Sequence, residues 1–413
     1  MEHQELIPHL FRTEFSKITA VLCRHFGIGH MEMAEDVAGD TFLAALESWP
    51  RQGIPANPSA WLYAVAKNKA RNAIGRKKNF DQKVRTGITP HQTTIPPVEI
   101  DLSESNITDS QLQMLFAICH PSISREAQIG LALRILCGFG IEEIADAFLT
   151  SGGTINKRLY RAKEKLRKVN APIEVPAEAE IDERLETVLT TLYLLFNEGY
   201  YSESGNSVLR RDLCLEAMRL VQLLVDNEHT SRPAVNALLS LMCFHASRFE
   251  ARLNERNEPV LYQDQDESLW NRELIARGAL YLHRSSVGGS ISKYHLEAGI
   301  AYWHTIKDDT EEKWESILRL FNHLLEYEYS PIAALNRVFA ISKVHGSLAA
   351  IAGAEKLHLP ENHYYHHLLG VLYTGIDTDK AMRHFREALR LARSDTDKAT
   401  IRARLSGLQD AAK

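Results

Sequence analysis

Cysteine is scarce in this chain, and its placement excludes two whole classes of protein. Among 413 residues there are five: Cys23, Cys119, Cys137, Cys214 and Cys243. They form no C-x-x-C pair and leave an odd total, so neither a disulfide framework nor a zinc cluster is indicated, and a reducing compartment fits. No stretch approaches the roughly 18 apolar residues of a membrane span. The opening MEHQELIPHL lacks a basic stretch followed by an apolar run, the order expected of a secretory leader. A cytoplasmic protein without membrane association is therefore expected. Absent too are a nucleophile-and-base pattern, a Gly-rich phosphate loop and an HExxH. No catalytic residue, metal ligand or cofactor is predicted, and the chain is not expected to be an enzyme.

What is present is enough apolar residue, 45%, for folded domains, and a length that exceeds one core, so two to four domains follow. The net charge of -5 hides a segregation that matters more than the sum. From Trp61 to Arg85 stand Lys67, Lys69, Arg71, Arg76, Lys77, Lys78, Lys83 and Arg85, against Asp81 alone. A second basic zone runs from Thr154 to Lys168, whereas Ala171 to Thr230 is dominated by acids.

That second zone ends the stretch IEEIADAFLTSGGTINKRLYRAKEKLRK, Ile141 to Lys168. Ile141, Ile144, Ala145 and Phe148 share one helical face before Gly152 and Gly153 interrupt. Beyond them Ile155, Leu159, Ala162 and Leu166 fall on one stripe, and Thr154, Lys157, Arg161, Lys165 and Lys168 on another, with Arg158 at its edge. The spacing predicts a helix-turn-helix, whose second helix lays a cationic side in a DNA major groove. A solvated helix hairpin is the plainer account. Ser151 is the predicted N-cap. Adjacent glycines cost a helix start roughly 1 kcal/mol each against alanine, so its first turn is expected to fray.

Earlier in the chain, Phe11 to Phe26 reads as a helix closed by Gly27 and Gly29. MEMAEDVAGDTFLAALESW follows as a second, burying Ala34, Val37, Ala38, Thr41, Ala44 and Ala45. Asp36, Asp40, Leu43 and Glu47, at i, i+4, i+7 and i+11, make a separate stripe that fits either ordinary surface or docking of a basic partner helix. Pro50 to Pro58 reads as a loop, with Ser59 as cap of the next helix. There Leu62, Ala66, Ala70, Ala73 and Ile74 face inward, while Asn68, Arg71, Asn72 and Gly75 face out with Trp61 alongside. Amides and guanidinium groups can read base edges, and an aromatic ring can stack on an unpaired base. Arg76, Lys77 and Lys78 suit phosphates. A core tryptophan on a basic surface helix explains the same segment more simply.

Taken in order, AEDVAGDTFLAAL, NPSAWLYAVAKNKARNAIGRKK and SREAQIGLALRILCGFGIEEIADAFLTSGGTINKRLYRAKEKL resemble the two blocks of an extracytoplasmic-function (ECF) sigma factor of the sigma-70 family, over about Leu10 to Lys168. The resemblance implies core RNA polymerase and promoter DNA as partners. By position, Asp36, Asp40, Leu43 and Glu47 would bind the clamp helices of the largest subunit, with further contact to the flap region. Trp61, Lys67, Asn68, Arg71, Asn72 and Arg76 would melt and read the minus-10 element. Thr154, Asn156, Lys157, Arg158 and Arg161 would read the minus-35 element. Glu often stands in that family where this chain has Gly152, which makes Thr154 a weaker assignment than Arg158 or Arg161.

Phe80 to Ser110, with Pro90, Pro96 and Pro97, reads as an extended linker. About 30 residues can span roughly 100 Å, enough for promoter elements roughly 70 Å apart, two helical turns of DNA. Helices over Ser110 to Cys119 and Ser124 to Cys137 follow, Ser124 being a candidate cap. Ala171 to Glu180, APIEVPAEAE, marks a boundary, and long amphipathic helices continue to Leu408. YYHHLLGVLYTGIDTDKAMRHFREALRLA resembles a tetratricopeptide repeat, with Leu369, Gly370, Tyr373, Ala381, Phe385 and Ala388 on its signature positions. PIAALNRVFAISKVHGSLAAIAGAEKL reads as a preceding helix pair.

LYLLFNEGYY and LYQDQDESLWNRELI resemble segments of the helical extension of ECF42-type sigma factors. Asn197, Glu198, Tyr200 and Asp264 to Asp266 can line a polar groove, although loop capping is the simpler account. Tyr364 to His367 read as packing and surface.

The expected fold is therefore all-α: a sigma region 2 bundle at 8–80, a linker at 81–109, a region 4 helix-turn-helix domain at 110–170 and a tetratricopeptide-like extension at 180–413. The expected function is promoter-specific transcription initiation, modulated by that extension through contacts that can include a protein regulator. The alternative is a helix-turn-helix regulator with a helical sensor domain that does not replace the sigma subunit. An acidic docking helix followed by a basic strand-opening helix favours the first, and a scaffold with incidental basic faces would bind no promoter.

Overall fold

The computed structural model describes residues 3–86, 99–148, 150–200, 210–254, 260–288 and 290–411. The described residues are helical, with no extended strand among them. No helix among them is long and apolar enough to cross a membrane. The chain divides into two compact units, Met1–Leu195 and Phe196–Lys413.

Unit 1 opens with α1 (His3–Phe26), α2 (Met31–Gln52) and α3 (Pro58–Thr86). α1 is covered on most sides: Phe15, Ile18, Val21, Leu22 and Cys23 are buried, and so are Glu14, Ser16 and Thr19. Its polar groups are satisfied locally, Thr19 Oγ1 donating to the Phe15 carbonyl at 2.8 Å and Glu14 accepting from Tyr63 Oη at 2.5 Å and Lys17 Nζ at 3.0 Å. Most of the predicted arc of α2 is buried, Ala34, Ala38, Thr41 and Ala45 being fully enclosed and Val37 nearly so, while Ala44 is only half-buried. α2 runs past Pro50 to Gln52, where Gly53 stops it, so the predicted loop begins three residues later. α3 starts two residues earlier than a cap at Ser59 predicts. Pro58 suits the first helical position because it has no amide to leave unpaired, and Asn57 becomes the cap, its Oδ1 accepting from the Ala60 amide at 3.0 Å.

α4 (Glu104–Ile118) and α5 (Arg125–Leu131) come next, and α5 runs into a π-helical turn, Ala132–Leu136. Ser124 caps α5 by accepting from the Ala127 amide. Helix thus occupies both ends of the segment read as linker, up to Thr86 and from Glu104, and Ile100 and Leu102 between them are buried. Residues 87–98, including Pro90, Pro96 and Pro97, lie outside the described residues. α6 (Ile141–Ala147), α7 (Gly152–Lys168) and α8 (Ile181–Tyr200) complete this half. The proline-containing connector before α8 is not helical, but the division between units falls later, within α8. The reason is packing: Val188 and Leu192 are buried, Arg184 donates to the Phe116 carbonyl at 2.7 Å, and Thr191 Oγ1 donates to Gln128 Oε1 at 2.8 Å.

Unit 2 continues through α9 (Arg211–Asp226), α10 (Pro233–Ala246), α11 (Arg272–Ser285), α12 (Lys293–Trp303), α13 (Glu311–Tyr327), α14 (Pro331–Glu355), α15 (His363–Tyr373), α16 (Thr378–Leu391) and α17 (Asp395–Ala411). Successive helices pack on one another. α14 breaks at Gly346, whose φ of 82° is one that side chains disfavour, so the segment is two helices in one. Leu369, Gly370, Tyr373, Ala381, Phe385 and Ala388 are all buried, in a core with Leu335, Val338 and Ile351.

Candidate polymerase and promoter interface

α2 presents two acidic faces. On one, Asp36, Asp40, Leu43 and Glu47 are exposed, Leu43 by 55%. Leu46, 51% exposed, extends the apolar part of this ridge. Its exposure is invisible in a sequence pattern that treats leucine as core. Asp36 has its pKa raised, by burial first and then by the neighbouring carboxylates Glu35 and Asp40. The other face turns to α7 and to the π-helical turn after α5: Glu35 accepts from Arg134 Nε of that turn at 2.8 Å and from Lys163 of α7, and Glu32 accepts from Arg167 at 2.8 Å.

On α3, Leu62, Ala66 and Ala70 are fully buried, while Asn68, Arg71, Asn72 and Arg76 are exposed and Lys67 is half-buried. Gly75, expected to face out, is buried, because a residue without a side chain is covered by its neighbours. Trp61 is half-buried, its ring edge-on to the buried Trp49 at 5.4 Å. The contact with Trp49 anchors the indole, and the rest of it stays partly exposed. The side chains of Lys77 and Lys78 lie outside the described residues.

α6 and α7 form the predicted hairpin. Ile155, Leu159, Ala162 and Leu166 are buried, and Thr154, Asn156, Lys157 and Arg161 are exposed. Arg158 is half-buried, its guanidinium 5.6 Å from the centroid of the Phe148 ring. Tyr160 is 63% exposed, next to Arg161 and on the open side, where a flat ring can meet a thymine methyl or a sugar. A pattern of basic residues carries no signal for it.

The expected fraying of α7 is not seen. Ser151 Oγ accepts from the Thr154 amide at 3.2 Å, and the helix opens at Gly152. A Cβ at Gly152 would collide with Glu142 Oε1. The glycine lets a carboxylate settle against the start of the helix, where the unpaired amides favour negative charge. Glu143 links this hairpin to α1, accepting from the Gly140 amide at 2.7 Å and from Arg12 at 2.5 Å.

The two blocks, read from sequence as domains on a tether, therefore share one compact unit, with most of their candidate DNA-facing residues exposed and Trp61, Lys67 and Arg158 half-buried.

Residues 10–80 match the family described as Sigma-70 region 2. Over 171 residues the chain is 30% identical to RNA polymerase sigma factor YlaC of Bacillus subtilis, covering 41% of this chain and 94% of that one. The chain belongs to the sigma-70 family of RNA polymerase sigma factors. It is also 22% identical over 161 residues to the ECF RNA polymerase sigma-E factor of Haemophilus influenzae, covering 38% of this chain and 84% of that one. These matches support an ECF-like sigma factor. Along nearly its whole length, the sigma factor is 33% identical over 404 residues to a protein of Rhizobium meliloti named "Uncharacterized protein R00370", covering 94% of this chain and 92% of that one. Residues 184–286 match a family of unknown function, DUF6596. No solved structure shows significant similarity to the chain.

Proposed function

We infer that this sigma factor binds core RNA polymerase and directs initiation at specific promoters, acting in the cytoplasm without chemistry of its own. The observation that carries the reading is the outward placement of Asn68, Arg71 and Asn72 on α3 together with Lys157, Tyr160 and Arg161 on α7. In this reading α3, with Trp61, Lys67 and Arg76, opens and reads the minus-10 element, and α7, with Thr154, Asn156 and Arg158, reads the minus-35 element. Amides and guanidinium groups supply base-edge hydrogen bonds, and the surrounding lysines supply phosphate contacts.

The ridge of Asp36, Asp40, Leu43 and Glu47 docks on basic clamp helices of the largest polymerase subunit, its leucine anchoring a contact whose rim is charged. The region 2 match favours this over a plain helix-turn-helix regulator, which has no use for such a ridge.

Unit 2 is the tetratricopeptide-like extension of an ECF42-type sigma factor, and it modulates activity through protein contacts. Support comes from the buried signature positions Leu369, Tyr373, Ala381 and Phe385 and from the turn at Gly346.

The test is run-off transcription from candidate promoters with purified core polymerase. Initiation above core alone is the expected result. No initiation, while a known sigma factor succeeds in parallel, rejects the reading.

A further inference from the structure

Unit 2 encloses two cations that no carboxylate of the described residues meets in an ion pair, although Asp309 and Asp308 attract Lys313 through space. Lys313, in the first turn of α13, has no exposed surface. Its ammonium donates to the Ile306 carbonyl at 2.6 Å and to the Tyr262 hydroxyl at 3.1 Å, both neutral acceptors. Arg248, just beyond α10, is 8% exposed, and its Nε has no hydrogen-bond partner. Its guanidinium lies 5.5 Å from the centroid of the Tyr262 ring, and Lys313 Nζ lies 5.3 Å from the same centroid.

The nearby carboxylate of Asp309 is already engaged, by Lys343 at 2.7 Å and by the Trp314 indole.

A third donor sits on the same ring. Trp270 is buried and stacks at 6.2 Å from Tyr262, and its indole N–H has no acceptor. The Asn271 amide donates to the Ser247 carbonyl at 2.8 Å, which ties the segment carrying Trp270 to the residue before Arg248. His304 closes another side, edge-on to Tyr262 at 5.2 Å. Its pKa is pushed down to about 3, by burial first and then by Arg248 and Lys313, so it adds no further positive charge. The pKa of Lys313 is itself lowered, chiefly by burial.

A buried charge without a counter-charge is among the costliest arrangements in a protein, and buried donors without acceptors are few. Here two buried cations outside any ion pair and an unpartnered indole N–H surround one tyrosine.

We propose that Arg248, Lys313 and Trp270, gathered around Tyr262, bind the oxyanion of a small molecule bearing a phosphate or carboxylate group. A guanidinium offers planar paired donors, an ammonium adds a compact charge, and aromatic walls keep water from competing. Arg248, Tyr262 and Trp270 fall within the 184–286 match to a family without assigned function, while His304 and Lys313 lie beyond it. This site stands independently of the promoter reading.

The test is thermal unfolding of the full chain titrated with sodium phosphate, and separately with sodium acetate, each against sodium chloride at matched ionic strength. The expected result is a saturable rise in Tm with at least one oxyanion, about 3 to 6 °C at tenfold excess over Kd. Which anion acts distinguishes a phosphate from a carboxylate ligand.

The rise should vanish in Arg248→Met and persist in Arg161→Ala, which removes a cation of α7. Removing an uncompensated buried charge leaves Tm in chloride equal to or above wild type, so a lost response in Arg248→Met is not a lost fold. No saturable shift in the wild type, a wild-type response in Arg248→Met, or a response lost in Arg161→Ala overturns the proposal.

Discussion

Glu35 on α2 is ion-paired with Lys163 on α7, so a carboxylate of the first block holds the second helix of the helix-turn-helix. The same carboxylate accepts from Arg134 and is only 10% exposed. Cys23 is buried beside it, its thiol pKa pushed up by burial first and by Glu35 next. Glu32 with Arg167 and Glu143 with Arg12 add weaker, more exposed links. Together they clasp region 2 to the helix-turn-helix.

That clasp has to part if one chain touches two promoter elements roughly 70 Å apart. A compact unit of 195 residues has a radius of gyration of only about 16 Å. Glu32→Cys with Arg167→Cys, joined by a reducible bis-maleimide, should abolish run-off transcription, and reduction should restore it. The five native cysteines are buried and should not react. Full transcription by the cross-linked protein would show that the blocks act without separating.

Arg158→Ala combined with Arg161→Ala should weaken promoter binding about tenfold or more and flatten its salt dependence, while core binding holds. Fluorescence anisotropy over a salt series measures the first and a polymerase pull-down the second. Equal loss of both would point to a damaged fold, because Arg158 also rests on Phe148.

On α2, Asp40→Lys with Glu47→Lys should abolish core binding and leave the circular dichroism spectrum unchanged, since both residues are exposed. Asp36 gives an opposite sign for stability. Its raised pKa means that the folded state holds the proton more tightly than the unfolded one. Its ionisation therefore opposes folding at neutral pH, and that cost is relieved as pH falls through its folded pKa. Asp36→Asn should raise Tm at pH 7 while weakening core binding. A fall in Tm would show that the carboxylate is favourably paired.

Gly152 and Glu142 should behave as a coupled pair. Gly152→Ala alone gains helix propensity and displaces the Glu142 carboxylate, so its stability should change little. In a Glu142→Ala background the same substitution should stabilise by up to about 1 kcal/mol. Urea unfolding of the four proteins reads the coupling, and strict additivity would remove the carboxylate from the account.

A chain ended after Val169 should lose stability as well as regulation, because Val188 and Leu192 are buried in unit 1. A chain ended after Leu195 keeps that packing and isolates the effect of unit 2. A changed run-off yield relative to the full chain is expected, and an unchanged one would deny the extension a modulating role.

The amphipathic stripes established which stretches of α2 and α7 are helical and which faces they bury, but not every helix end: helix runs into both ends of the segment read as linker. Ala34, Val37, Ala38, Thr41 and Ala45, and Ile155, Leu159, Ala162 and Leu166, are core as their spacing requires, because helical periodicity is a local property that the backbone repeats wherever it forms. The serine caps at Ser124 and Ser151 were equally legible, one hydroxyl answering one amide three residues on. Asn57 was not, because a proline at the first helical position moved the start by two residues.

Tertiary structure decided what no local pattern encodes: that Glu35 meets Arg134 and Lys163, residues 99 and 128 positions away, and that Arg248 and Lys313 converge on Tyr262. Charge partners across such separations are chosen by how helices stack. Local spacing determines which side of each helix is apolar, but the partner for each polar side is settled only when the apolar sides have found one another.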